Sequence, residues 1–115
     1  MLNKKAKIFQ ALSDTNRLRI LKMLLNKTLC VCEITAVLKL APSTVSKHLS
    51  ILKDTGFIIE EKSGKWVNYS MNTLTREPVI LSLITLLNYE LTHDEIVQND
   101  GRMITDIDRV KLCCK

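Results

Sequence analysis

The chain has 115 residues, 46% of them hydrophobic, a size that suits one folded domain with a single core and leaves no room for two. No run of 18 apolar residues occurs, the nearest being Val79 to Leu87 with Ser82 and Thr85 inside it, and the start MLNKKAKIFQ has no continuous apolar core, so neither a membrane span nor a signal peptide is expected and the chain reads as cytoplasmic. The net charge of +5 is unevenly placed: residues 1–70 hold 12 Lys and Arg against 5 Asp and Glu, and residues 71–115 hold 5 against 7. A basic front part is the footprint of a nucleic-acid binder, while 4% aromatic content argues against a base-stacking, single-strand surface.

In chain order, Asn3 to Leu12 carries Ile8, Phe9 and Leu12 at helical spacing opposite Lys4, Lys5 and Lys7. Asp14 or Thr15 can cap a second helix, Asn16 to Leu25, with an apolar stripe of Leu18, Leu21 and Leu25 and a basic one of Arg17, Arg19 and Lys22. A third helix follows from Val31 to Lys39. Leu40 and Ala41 make the short turn before the fourth, which Pro42 opens and Gly56 closes. In that helix Val45, Leu49 and Leu52 face inward. Ser43, Thr44, Ser46, Lys47 and Ser50 then point outward, small hydroxyls and a cation suited to base edges and phosphates in a major groove, with His48 at the edge of the inward face. Two short helices joined by such a turn form a helix-turn-helix, here residues 30–56.

After Gly56 the period becomes alternating. Phe57 to Lys62 and Lys65 to Met71 read as a β-hairpin with Ser63-Gly64 as its turn, a wing over residues 57–71 with Lys62 and Lys65 placed to meet phosphate. Residues 76–115 read as C-terminal dimerisation helices and a cysteine tail. Thr75-Arg76-Glu77-Pro78 opens a longer, strongly apolar helix with Val79, Ile80, Leu83, Leu86, Leu87 and Leu91 along it, Thr92 to Glu95 has capping-box spacing, and Asn99-Asp100-Gly101 is a turn. Ile104, Ile107 and Val110 then mark a last amphipathic segment running into Cys113 and Cys114. The expected fold is mainly α with a β-hairpin wing, a winged helix-turn-helix. Surplus apolar surface and the two-fold symmetry of DNA sites make it a homodimer through its first and last helices.

Several strings resemble the ArsR/SmtB family of bacterial winged-helix, metal-responsive repressors. Ala11 to Leu21 resembles the second-helix signature, Ser43 to Leu52 the recognition helix, and Ser63-Gly64-Lys65 with Trp66 to Tyr69 the wing. Leu29-Cys30-Val31-Cys32-Glu33-Ile34 is similar to the Leu-Cys-Val-Cys-Asp-Leu box of the arsenic and cadmium sensors. The resemblance implies a repressor, not an enzyme, that sits on double-stranded operator DNA as an apo dimer and is released by its effector. Two departures stand out: a third cysteine found in some arsenic-responsive members is Thr35 here, and the family's carboxylate and histidine site on the last helix has only His93 with Asp94 and Glu95.

The thiols themselves select thiophilic partners. On a regular helix Cys30 and Cys32 would diverge by about 200°, so joint ligation would have to distort the start of the third helix. Trivalent arsenic takes three sulfurs, which leaves Cys113 or Cys114 as the third. The effector order is As(III) or Sb(III), then methylated As(III), then Cd, Pb or Zn. A thiol redox or persulfide switch on the same fold is the alternative.

Overall fold

The computed structural model describes residues 1–107. Asp14 decides where the second helix starts: its carboxylate accepts the N–H groups of Asn16 and Arg17 at 2.8 and 3.0 Å, satisfying two donors of the first turn. Helix α1 (Leu2–Ala11) precedes it and α2 (Thr15–Asn26) follows. Strand β1 (Leu29–Cys30) leads directly into α3 (Val31–Leu38). Lys39 then turns the chain in the left-handed region, φ 58°, before α4 (Pro42–Thr55), which ends on Gly56 at φ 99°. Strands β2 (Ile58–Ser63) and β3 (Trp66–Met71) precede α5 (Pro78–Tyr89) and α6 (Glu95–Asp106).

Inward faces from all of these elements build one core. Ile8, Ile20, Leu21, Ile34, Val45, Leu49, Leu52, Phe57 and Ile80 are each 1% exposed or less. The spacing 45, 49, 52 read from the sequence is therefore the buried seam of α4, which packs on α3 as the second helix of a helix-turn-helix. The architecture is a mainly helical winged helix-turn-helix with a three-stranded antiparallel wing, ordered β1-β3-β2.

Several readings of the sequence are changed. The wing is not a hairpin alone, because Leu29 pairs with Tyr69 and Cys30 with Asn68 on the free edge of β3. Two residues give no alternating pattern to detect. Its turn is Gly64-Lys65 instead of Ser63-Gly64: Ser63 still pairs with Trp66, and Gly64 supplies the positive φ of 61° at the first loop position.

Asn99-Asp100-Gly101 is not a turn but the middle of α6. Asp100 is turned inward, where Arg19 grips it with two parallel bonds, Nε to Oδ2 and Nη2 to Oδ1, both 2.9 Å. Gly101 lies against α2, with Asn26 Nδ2 at 3.9 Å from where a Cβ would stand, and the helix is capped by Asp94 instead of Thr92. This contact and pair outweigh the roughly 1 kcal/mol that a mid-helix glycine costs.

The basic stripe of α2, finally, is spent inside the fold. Arg17 and Arg19 are bonded within the chain, and Lys22, buried, donates to the Leu87 carbonyl at 2.6 Å, an unpaired acceptor of the last turn of α5. Burial pushes the Lys22 ammonium below the usual lysine range, partly offset by the nearby Glu90 carboxylate.

Helix α6 packs on α2 and α3 of its own chain and buries Ile104; Lys27 Nζ holds the Ile104 carbonyl at 3.1 Å. The large apolar side chains left outside stand mainly elsewhere. Phe9, placed inward by its spacing, is 54% exposed on α1 beside Leu2, while Leu81, Leu86 and Tyr89 are exposed on α5. Lys5 and Glu77 tie the two helices, Nζ to Oε1 2.6 Å, which holds the Glu77 carboxyl below its usual range.

Candidate nucleic-acid interface and thiol site

On α4 the residues opposite the buried seam are exposed as their spacing requires: Ser43, Thr44, Ser46, Lys47 and Ser50. Ala41 at the N-cap has no side-chain acceptor, so the N–H groups of the first turn of α4 carry no side-chain cap, at the end nearest those hydroxyls. Lys62 and Lys65 are exposed at the wing tip, and Lys65 Nζ lies 5.1 Å from the centre of the Trp66 ring, a cation–π contact that steadies it.

The wing is also tied to the reading helix. Lys53 near the end of α4 bonds Glu60 of β2 at 2.8 Å, and Glu60 is hydrogen-bonded by Tyr69 of β3. Those two partners lower the Glu60 carboxyl, and burial followed by the Glu60 contact raises the Tyr69 phenol. Helix and wing thus share one polar junction that sequence spacing gave no means of finding.

His48 differs from its neighbours. It is half-buried, and Arg17 Nη1 lies 3.2 Å from its Nδ1. Arg17 in turn donates Nε to the Ala11 carbonyl at 2.8 Å and Nη2 to the Gln10 carbonyl at 3.3 Å, closing the end of α1. Burial raises the Asp14 carboxyl, but the Arg17 and Asn16 N–H groups and the charge of the Arg17 guanidinium hold it below its usual range.

The two cysteines sit at the junction of β1 and α3. Cys30 is 3% exposed and has extended backbone, φ −96° and ψ 169°, as the N-cap residue of α3; Cys32 is exposed one residue into the helix. A divergence of about 200° therefore does not describe this pair, since only one member is helical, and the start of α3 already departs from helical geometry. Glu33, 2% exposed, closes the arrangement as a capping box: its Oε1 accepts the Cys30 N–H at 2.9 Å and the Cys30 side chain faces the Glu33 N–H. The spacing of Cys30 and Glu33 is that of a capping box, but thiols are not usual caps and the pattern is easily passed over.

Thr35, where a third sulfur could stand, presents instead a buried hydroxyl that has no hydrogen-bond partner among the described residues. Among those residues no three His, Cys, Asp or Glu side chains gather as a metal site. Cys113 and Cys114 lie outside the described residues.

Residues 14–60 match the model of the bacterial regulatory protein, arsR family. The chain is 33% identical over 113 residues to the arsenic resistance transcriptional regulator ArsR2 of Pseudomonas putida, a span of 93% of this chain and 95% of that protein. The chain belongs to the ArsR family.

A second relative, the uncharacterized HTH-type transcriptional regulator MJ1325 of Methanocaldococcus jannaschii, is 46% identical over 57% of this chain and 75% of that protein. The structure of reduced HlyU from Vibrio cholerae superposes with a TM-score of 0.62 at 31% identity, covering 75% of this chain and 86% of that one. Other ArsR-type relatives are named for arsenical resistance, for cadmium resistance and as an SmtB homologue, and this chain spans about half the length of several of them. The fold and these relatives are those of transcriptional regulators and not of enzymes.

Proposed function

We propose that this protein is a repressor that holds its operator as a homodimer and releases it when trivalent arsenic or antimony, inorganic or methylated, is captured by Cys30 and Cys32, with Cys113 or Cys114 as third donor. One observation carries the reading: Cys30 belongs to two DNA-facing parts at once. Its backbone pairs with Asn68 in the central wing strand, and it caps α3, the helix on which α4 packs. A ligand on its sulfur therefore pulls on wing and reading helix together. The donor set fits the effector class. Two soft sulfurs suit a thiophilic metalloid, the Thr35 hydroxyl is a poor substitute for a third, and a methylated arsenical needs only two. A coupling of about 1–3 kcal/mol would change DNA affinity roughly 5- to 150-fold.

Ser43, Thr44, Ser46, Lys47, His48 and Ser50 face the groove in this reading, and Lys62 and Lys65 the flanking phosphates. Two-fold contact runs through α1 and the C-terminal helices, with Phe9, Leu81 and Leu86 as its apolar centre. One observation favours a second reading, a thiol redox switch: Cys32 is exposed to an oxidant while Cys30 beside it is sheltered.

The test is fluorescence anisotropy on a duplex that the wild-type protein selects from a random-sequence pool. Arsenite, methylarsenite, Cd, Zn and peroxide are titrated separately against wild type, the Cys30→Ser/Cys32→Ser pair and the Cys113→Ser/Cys114→Ser pair. Arsenite should release the wild type and leave the first double variant bound. Equal release of both removes the thiol assignment, release by Cd alone replaces the effector, and release by peroxide alone, reversed by a reductant, establishes the redox switch. Lys47→Ala should weaken binding and reduce the salt slope by about one ion.

A further inference from the structure

We infer that Arg17 is a positioning residue that fixes the ring tautomer of His48, so that α4 presents an Nε2–H donor to a hydrogen-bond acceptor on the DNA. The inference rests on the reading of α4 as the DNA-facing helix.

A guanidinium can only donate, so at the 3.2 Å contact between Arg17 Nη1 and His48 Nδ1 the ring nitrogen must accept. An imidazole that accepts at Nδ1 carries its proton on Nε2. Arg17 cannot easily turn away to allow the other tautomer. Only 12% of its side chain is exposed, and its planar fork is held at two further points by the Ala11 and Gln10 carbonyls. Nε2 itself makes no hydrogen bond among the described residues, yet it is not among their buried, unpartnered atoms, so it opens to solvent.

The consequence is directional. Ser43, Thr44, Ser46 and Ser50 carry hydroxyls that donate or accept as a partner demands, whereas His48 offers a donor from a ring whose other nitrogen is occupied. It therefore takes a phosphate oxygen, a purine N7, or the O6 or O4 of guanine or thymine, and rejects the cytosine amino group. The histidine thus belongs to two networks: inward it receives the clasp that closes α1, and outward it donates a hydrogen bond to the DNA.

Two substitutions at one position separate these roles. His48→Asn keeps an acceptor near Nδ1 for Arg17 and leaves nothing at Nε2, while His48→Gln places an amide N–H near Nε2 and gives up the inner acceptor. On the selected duplex His48→Asn should lose about tenfold in affinity, the scale of one hydrogen bond, with its thermal midpoint kept, and His48→Gln should recover part of that loss. Nitrogen NMR of labelled histidine in the free protein should report the Nε2–H form in wild type and a mixture of tautomers in Arg17→Met.

Loss on the selected duplex alone assigns a base acceptor, and equal loss on unrelated duplex assigns a phosphate; both support the donor. His48→Asn binding as tightly as wild type, or an Nδ1–H tautomer in the wild type, overturns the inference. Lys47→Ala run in parallel keeps the two levels apart. If it weakens binding while His48→Asn does not, only the inference fails; if no duplex is selected, the DNA-facing reading of α4 fails with it.

Discussion

Exchange of Asp100 for asparagine removes the charge from a side chain that is 3% exposed and leaves the Arg19 guanidinium, 21% exposed, with no counter-charge. Removing one partner of a fully buried ion pair costs about 3–5 kcal/mol. Arg19 keeps one edge in water and has the Asn16 Oδ1 at 3.4 Å as a weak second acceptor, so the lower end applies, about 3 kcal/mol. Domains of this size hold roughly 5–15 kcal/mol in all, and a loss of 3 kcal/mol lowers the thermal midpoint by about 10 °C. Urea unfolding followed by circular dichroism on wild type, Asp100→Asn, Arg19→Gln and the double variant gives the coupling directly. The double variant should be less destabilised than the two single losses summed. A change within about 0.5 kcal/mol for Asp100→Asn, or additive single losses, would refute the argument that this pair anchors α6.

The two thiols should separate in stability as they do in exposure: Cys30→Ala costs about 1–2 kcal/mol through lost packing and half of the capping box, while Cys32→Ala stays within about 0.5 kcal/mol, both read from urea midpoints. Lys22 sets a pH signature. Its pKa is lowered by folding, so between that value and the ordinary lysine value of 10.5 the unfolded chain binds more protons than the folded one, and stability rises with pH in this window; Lys22→Met should flatten the rise in paired unfolding curves. Gly56→Ala should cost about 1–2 kcal/mol because φ there is 99°, although Ile80 Cγ1 at 3.8 Å leaves room for the methyl, so a neutral result would mean the backbone relaxes. Phe9→Glu and Leu86→Glu should shift sedimentation towards monomer if α1 and α5 carry the two-fold contact; an unchanged dimer would move that contact elsewhere.

Most of the fold was legible because its signals are local. Val45, Leu49 and Leu52 mark a buried seam by spacing alone, Pro42 and Gly56 bracket their helix, and the change of period after Gly56 announces strands. What could not be read depends on partners distant in sequence. Asp100 looks like a turn residue until Arg19, 81 positions away, is seen to hold it. Arg17, Arg19 and Lys22 look like a solvated basic stripe until their acceptors appear on α1, α4, α5 and α6. Strand β1 exists only as an edge to β3. The outer face of α4 and the two thiols were legible as candidates. The half-helical setting of Cys30 and Cys32 was not, because period-based reasoning assumes that both lie on one element.

The mooring of α6 bears on how a third sulfur would be delivered. Lys27, three residues before Cys30, grips the carbonyl of Ile104, itself three residues before Ile107, and α6 packs against α3. Cys113 follows Ile107 six residues later, a span of at most about 20 Å. In the proposed reading, a thiol so close in sequence would meet an ion held by Cys30 and Cys32 as an intramolecular reactant, at an effective concentration on the order of millimolar. Bound arsenic would then be closed in by a local search instead of waiting for a free thiol, and the length between Ile107 and Cys113 becomes the quantity that sets how little effector suffices.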